Sequence, residues 1–318
     1  MKYANINGIE LPVSRIIYGT ASAKFLAGED CNEMLDTVSE LGVTTIDTAR
    51  VYGEAEKSIG NWLRARNNRK DVVILSKGGH PSEDGTRRIS EKEIRYDLEL
   101  SLEKLGTDFI DIYLLHRDDE DIPVGEIVEW LNALHKEGKI GEFGGSNWTH
   151  ERIAEANEYA EVHGLKPFTI SSPNYGIAEQ VRDPWGGGCV TVSGKSNPAR
   201  EWYEQTQMPL IAYSALAHGL FSGRVKSADA ARAAEVLDEA AIRGYGCEEN
   251  FERLRRCEEM AKEKGVTVAQ IAMAYIFGSS MNCFAVVSAS TRERMENNIE
   301  ALETELTQEE CKYLNLEI

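Results

Sequence analysis

Three apolar runs in the first 116 residues of the chain end on ionisable residues. Asp47 closes 43–46, Lys77 closes 72–76 and His116 closes 110–115; Tyr52 follows Asp47 by five positions. Charges at the ends of buried runs need partners, because an unpaired charge near a core is costly. An ordinary phenol has a pKa of about 10, too high to release a proton readily near neutrality. An ammonium beside it stabilises the phenolate and lowers that value, and Asp47 would keep Lys77 charged. Tyr52 could then give a proton to a carbonyl oxygen as hydride reaches the carbon, or take one back in reverse. His116 would orient that oxygen and stabilise its developing charge. The plainer alternative is an internal Asp47–Lys77 salt bridge with His116 as a polar plug. For one residue alone it would prevail; four residues in three neighbouring units point to catalysis.

Positioning these groups is the task of alternating short β-rich runs and amphipathic stretches. Strand ends are expected near Gly19, Thr48, Lys77, His116, Asn147, Pro173, Leu216 and Ser290, with helices over 54–66, 91–105, 124–136, 150–163 and 250–264. Ser90 followed by Glu93 predicts a capping box, and Gly106, Gly138, Gly164 and Gly265 punctuate helix ends. Tyr3, Asn5-Ile6 and 9–11 around Asn7-Gly8 predict an N-terminal β-hairpin. Eight strand–helix units predict an α/β fold, a (β/α)8 TIM barrel, in which active-site groups sit at the C-terminal strand ends. An open sheet is the alternative, but no strand is followed by a G-x-G-x-x-G turn. No composition break divides the chain, so 1–318 is expected to form a single domain. The stretches 176–198 and 219–249 exceed ordinary loop lengths and predict functional loops with local helix of their own.

Composition narrows the partners. Against 35 Lys+Arg stand 53 Asp+Glu, and a net charge of -18 repels nucleic acid and anionic lipid. Neither a nucleic-acid nor a membrane partner is expected. The six cysteines form no C-x-x-C pair and no zinc-ligand spacing, which predicts reduced thiols, no metal and a cytoplasmic location. The opening residues lack the apolar run of a signal peptide, and 266–277 is too short and polar to span a bilayer.

The run Thr45-Ile46-Asp47-Thr48-Ala49-Arg50-Val51-Tyr52-Gly53, with Glu56 and Ile59-Gly60, resembles the signature of aldo-keto reductases. So do Leu75-Ser76-Lys77, Asp111-Ile112-Tyr113-Leu114-Leu115-His116, Gly138-Lys139-Ile140 and Gly144-Gly145-Ser146-Asn147. Ile211-Ala212-Tyr213-Ser214-Ala215-Leu216 and Arg294-x-x-x-Asn298 extend the similarity over essentially the whole chain. The resemblance implies a barrel that uses NADP(H) without a metal, with Asp47, Tyr52, Lys77 and His116 as the catalytic tetrad.

It also implies a nucleotide site. Tyr213 corresponds to the tyrosine that stacks on nicotinamide, and Ser146 and Asn147 to the grip on its carboxamide. Ser172 stands where the family usually has Gln. Ser214, Leu216, Gly219 and Leu220 fit the loop over the diphosphate, where glycine permits close approach. The strand ends at Gly19-Thr20 and Asp47 join this set. Ser288, Ser290, Arg294 and Asn298 fall at the adenosine end. Many family members have Lys at the Ser288 position and Glu at the Asn297 position. Arg294 could still hold a 2′-phosphate, so NADP(H) is expected and NAD(H) is the alternative.

The expected partner is a small carbonyl or alcohol substrate, polar or sugar-like, contacted by Tyr52, His116, Arg117 and Trp148. Phe25, Tyr175 and Trp185 are further candidates for the pocket wall. The run ends at Leu316-Glu317-Ile318, so a long C-terminal loop shaping a lipophilic pocket is not expected. Two other readings compete: a regulatory barrel resembling potassium-channel β-subunits, and a lyase barrel using Lys77 for a Schiff base. The latter would leave Asp47 working against a neutral amine. Oligomeric state is not legible.

Overall fold

The structure, a computed structural model, describes residues 1–195 and 197–318. Its parallel strands are β3 (Ile16–Gly19), β4 (Thr45–Asp47), β5 (Val73–Gly78), β6 (Ile110–Leu115), β7 (Ile140–Ser146), β8 (Ile170–Ser172), β9 (Leu210–Ala212) and β10 (Cys283–Val287). They close into a barrel in the order β10-β3-β4-β5-β6-β7-β8-β9, with helices between strands: the expected (β/α)8 barrel. The chain groups into two compact units. The first is Met1–Ser172 with Ser288–Arg292; the second is Pro173–Val287 with Glu293–Ile318.

In the first unit, β1 (Tyr3–Ala4) pairs antiparallel with β2 (Val13–Ser14). The hairpin is therefore present but wider than the two-residue connection expected. Asn7-Gly8 does turn, with Ile9 N–H donating to Ile6 O at 3.0 Å. Pairing starts only beyond Pro12, which has no N–H for a ladder. The helices are α1 (Ala23–Leu26), α2 (Asn32–Glu40), α3 (Ala55–Arg66), α4 (Glu91–Leu105), α5 (Val124–Lys136) and α6 (His150–His163). Helices α4 and α6 stop at Gly106 and Gly164, both in the left-handed region that glycine enters without a Cβ penalty. At the α4 start Ser90 accepts from Glu93 N–H, but the Glu93 carboxylate pairs with Arg88, so only half of the capping box forms.

In the second unit β9 and β10 pair in parallel, Leu210 opposite Cys283. The helices are α7 (Pro198–Thr206), α8 (Glu239–Tyr245), α9 (Glu248–Lys264), α10 (Val268–Phe277), α11 (Arg292–Glu300, which begins in the first unit) and α12 (Gln308–Leu314). Helix α10 is apolar and almost wholly buried. The strand expected to end near Leu216 stops at Ala212, because Ser214 turns left-handed at φ 54°. Of the two irregular stretches, 219–249 contains a 3-10 segment, Ser227–Glu235, and α8. The stretch 176–198 is held by a bridge from Asn174 to Thr191, and position 196 within it lies outside the described residues. Among the described residues no helix is long and apolar enough to cross a membrane.

Candidate active site

Strand register brings the ionisable residues of the first unit together. Partners across a ladder share a face, and a step of two along a strand keeps that face. Asp47 lies opposite Leu75, two residues before Lys77, and Lys77 lies opposite Leu114, two before His116. Leu114 in turn faces Gly144, two before Ser146, and Ser146 faces Ser172. One face thus collects Asp47, Lys77, His116, Ser146 and Ser172 at successive strand ends. The opposite parity carries Tyr113 to the helix layer, its hydroxyl donating to Ile94 O of α4 at 3.4 Å.

Tyr52 arrives from the loop after β4. Its N–H donates to Ala49 O at 3.0 Å, and Arg50 N–H reaches Lys77 O at 2.9 Å. Arg50 pairs with buried Glu56, which also accepts from the Ser76 hydroxyl at 2.7 Å. Gly53 lets the loop pass α1: it is left-handed at φ 54°, and a Cβ there would lie 2.5 Å from Leu26 O.

Within this frame Lys77 Nζ donates to Asp47 Oδ2 at 2.5 Å and to Thr48 O at 2.9 Å. It lies 5.2 Å from the Tyr52 ring centroid. The Tyr52 and His116 rings meet edge-on with centroids 5.7 Å apart. Asp47, Lys77 and His116 are buried; Tyr52 keeps partial exposure.

Burial pushes the Asp47 carboxyl above its usual range, against the pull of Lys77. For Lys77 burial works downward, but Asp47 and Tyr52 outweigh it and hold the ammonium above its ordinary value. Burial raises the Tyr52 phenol; Lys77 opposes this, Asp47 adds to it, and the net value is raised. The lowering by Lys77 that the sequence suggested is present, but desolvation exceeds it. Burial, followed by the charges of Lys77 and Arg117, takes His116 well below the ordinary histidine value. The resting set is therefore a protonated phenol, an ammonium and a neutral imidazole.

His116 Nδ1 is buried without a hydrogen-bond partner among the described residues. Its backbone is firmly held: His116 O accepts from Asn147 Nδ2 at 3.2 Å and from Arg117 at 2.8 Å. Arg117 is itself buried. Trp148 is fully buried, packs on Phe168 and donates from its indole to Arg117 O at 3.2 Å. It props the 116–117 turn from beneath. Asp118 pairs with Arg152. Phe25 and Tyr175 are buried, whereas Trp185 is 47% exposed.

The remaining nucleotide candidates of this unit are tightly placed. Thr20 donates through both N–H and hydroxyl to Asp47 O. Ser146 Oγ donates to Ser172 O at 2.9 Å and accepts from Asn147 Nδ2 at 3.1 Å. Asn147 is left-handed at φ 60°. Ser288 Oγ donates to Gly19 O at 2.7 Å, and Ser290 lies two residues on.

In the second unit, Tyr213 meets Trp185 with ring centroids 5.8 Å apart. Ser214, Ala217, His218 and Gly219 are all left-handed, giving the 214–219 backbone a tight curl ahead of Leu220, with Leu216 inside it. A Cβ on Gly219 would fall 2.2 Å from the end of the exposed Arg224 side chain, and at φ 97° it is the left-handed backbone that calls for glycine. Arg294 is exposed on α11 and Asn298 is buried. Asn297 accepts from Thr267, the cap of α10, at 3.3 Å.

One residue beside the tetrad escaped the sequence reading. His80 follows β5 and meets His116 edge-on, with centroids 4.9 Å apart. The available signal was a ring-bearing polar residue just after a glycine pair at a barrel strand end.

Comparison with known proteins agrees with the barrel. The sequence profile of the Aldo/keto reductase family matches residues 15–316. An aryl-alcohol dehydrogenase from Pestalotiopsis microspora is 30% identical over 88% of this chain and 70% of its own. A norsolorinic acid reductase from Emericella nidulans is 31% identical over 87% of this chain and 69% of its own. The crystal structure of a thermostable aldo-keto reductase, in complex with the inhibitor epalrestat, superposes with a TM-score of 0.73 at 24% identity, over 99% of each chain. The chain belongs to the aldo/keto reductase family of oxidoreductases.

Proposed function

We propose that this protein reduces an aldehyde or ketone to an alcohol, or runs the reverse, with Tyr52 as the proton-transfer residue. The observation that carries the reading is the buried Asp47–Lys77 pair in contact with Tyr52, with His116 edge-on to the phenol. Tyr52, kept protonated, donates from its hydroxyl to the substrate oxygen as charge develops there. Lys77 stabilises the phenolate left behind, and Asp47 holds Lys77 charged and in place. Neutral His116 orients the oxygen by a hydrogen bond, and the buried surroundings strengthen both contacts.

A nicotinamide nucleotide, when bound, supplies or accepts the hydride. The residues fit such a group: the 214–219 curl has a glycine beside the Arg224 cation, which suits an anionic diphosphate. We assign Ser146, Asn147 and Ser172 to the carboxamide and Tyr213 to stacking. Ser214, Leu216, Gly219 and Leu220 are assigned to the diphosphate. Gly19, Thr20, Ser288, Ser290, Arg294 and Asn298 complete the set, within a single barrel domain. Arg294 favours NADP(H) over NAD(H) through its fit to a 2′-phosphate.

For substrate, a small polar carbonyl compound suits the charged 116–121 turn. The name of one relative adds aryl alcohols to the range to be screened. Titrating NADPH and NADH by fluorescence quenching, then assaying aldehydes, ketones and sugars, tests the reading. NADPH is expected to bind more tightly, Arg294→Ala to narrow the difference, and at least one carbonyl class to turn over. No turnover of any class with either nucleotide would refute the proposal.

A further inference from the structure

His80 stands against the tetrad on a support built for it. The Gly78-Gly79 pair makes the turn: a Cβ on Gly78 would lie 2.0 Å from the Tyr113 hydroxyl, and Gly79 is left-handed at φ 71°. Gly79 N–H donates to Asp97 Oδ2 at 2.8 Å, and Arg88 clamps the same carboxylate. The imidazole is also fixed. Its Nδ1 is 2.9 Å from Pro81 O, and since a carbonyl oxygen can only accept, Nδ1 carries the hydrogen. In the neutral ring, Nε2 is then a lone-pair acceptor, and no described residue donates to it. Burial, partly offset by the Pro81 carbonyl, keeps the ring below the ordinary histidine value and hence neutral near pH 7. The rings of Tyr52, His116 and His80 form a continuous row, with centroids 5.7 and 4.9 Å apart.

We propose that His80 determines specificity by accepting, at Nε2, a hydrogen bond from a hydroxyl group on the substrate a few bonds from the reacting carbonyl. The preferred substrates are then hydroxy-aldehydes and hydroxy-ketones rather than their unsubstituted counterparts. This inference rests on the carbonyl-reduction reading above. An oriented acceptor discriminates well, because a substrate lacking the hydroxyl leaves the lone pair without a donor in a partly buried place. Phenolic and aliphatic hydroxyls share this chemistry, so the test separates them.

The test compares kcat/KM for 3-hydroxybenzaldehyde against benzaldehyde, and for glyceraldehyde against propanal, in wild type, His80→Leu and His80→Gln, at saturating nucleotide. In at least one pair the wild type is expected to favour the hydroxylated member on the order of tenfold. His80→Leu is expected to bring that ratio towards one, whatever loss is common to both members, and His80→Gln, which keeps an acceptor oxygen, to retain part of it. With ¹⁵N-histidine labelling, the nucleotide-bound protein is expected to show the Nδ1–H tautomer at His80. Its Nε2 resonance is expected to move with 3-hydroxybenzyl alcohol or glycerol and not with benzyl alcohol or 1-propanol. A wild-type ratio of one in both pairs, or a ratio that survives in His80→Leu, overturns the role of His80 while leaving carbonyl reduction standing. Absence of all turnover removes both.

Discussion

Tyr52 owes its chemistry to a balance of opposing effects. Burial raises the phenol, and Lys77 alone cannot bring it below the ordinary tyrosine value, so the proton stays in place until an oxygen draws it away. His116, held well below its ordinary value, has no proton to lose on the alkaline side of neutrality. The pH profile follows from these directions. In the reducing direction the phenol must be protonated, so kcat should stay level from about pH 7 to about pH 9 and fall only above the ordinary tyrosine range. The oxidising direction needs the phenolate and should climb over the same interval. Steady-state rates in both directions check this; a reduction rate falling through about pH 7 would show that His116 must be charged. At this scale Asp47, Lys77 and His116 were legible as polar ends on apolar runs, and Tyr52 as the phenol five positions after the first of them. His80 was not, since nothing local reveals that its ring meets one 36 positions away. The burial of Trp148 was equally hidden, because a tryptophan after a strand suits a pocket wall as well as a prop.

At the scale of elements, the face shared by Asp47, Lys77, His116 and Ser146 depends on close strand approach. Gly144 shows how close: a Cβ there would lie 1.8 Å from Ile170 O, a backbone atom that cannot swing aside. Gly144→Ala should therefore part β7 from β8, lower unfolding stability by about 1–3 kcal/mol and weaken nucleotide binding through Ser146 and Asn147. Denaturant melts with nucleotide titration check it, and a variant as stable as wild type would contradict the packing argument. Helices were read closely because each signal is local. The expected 91–105, 124–136 and 150–163 coincide with α4, α5 and α6; side-chain caps at Ser90 and Thr149 and left-handed Gly106 and Gly164 fix the ends of α4 and α6. Strand ends at Leu216 and Ser290 were placed too late: the ladder stops at Ala212, although Ala215-Leu216 follow, and at Val287, ahead of Ser288-Ala289-Ser290. The hairpin loop was drawn too tight because a turn signal fixes a turn and not the place where pairing begins.

For the whole molecule, the repeated strand–helix pattern carried the barrel, and motifs in register along the full chain carried the family. The net charge of -18 makes local cations decisive for any anionic cofactor. Arg224 beside Gly219 is one that the sequence reading did not single out. The central claim concerns a single proton, and Tyr52→Phe addresses it with little change of shape. In that variant the rate of carbonyl reduction should fall by at least about a hundredfold, while NADPH still quenches intrinsic fluorescence at the wild-type concentration. Carbonyl reduction at the wild-type rate in Tyr52→Phe would contradict the account.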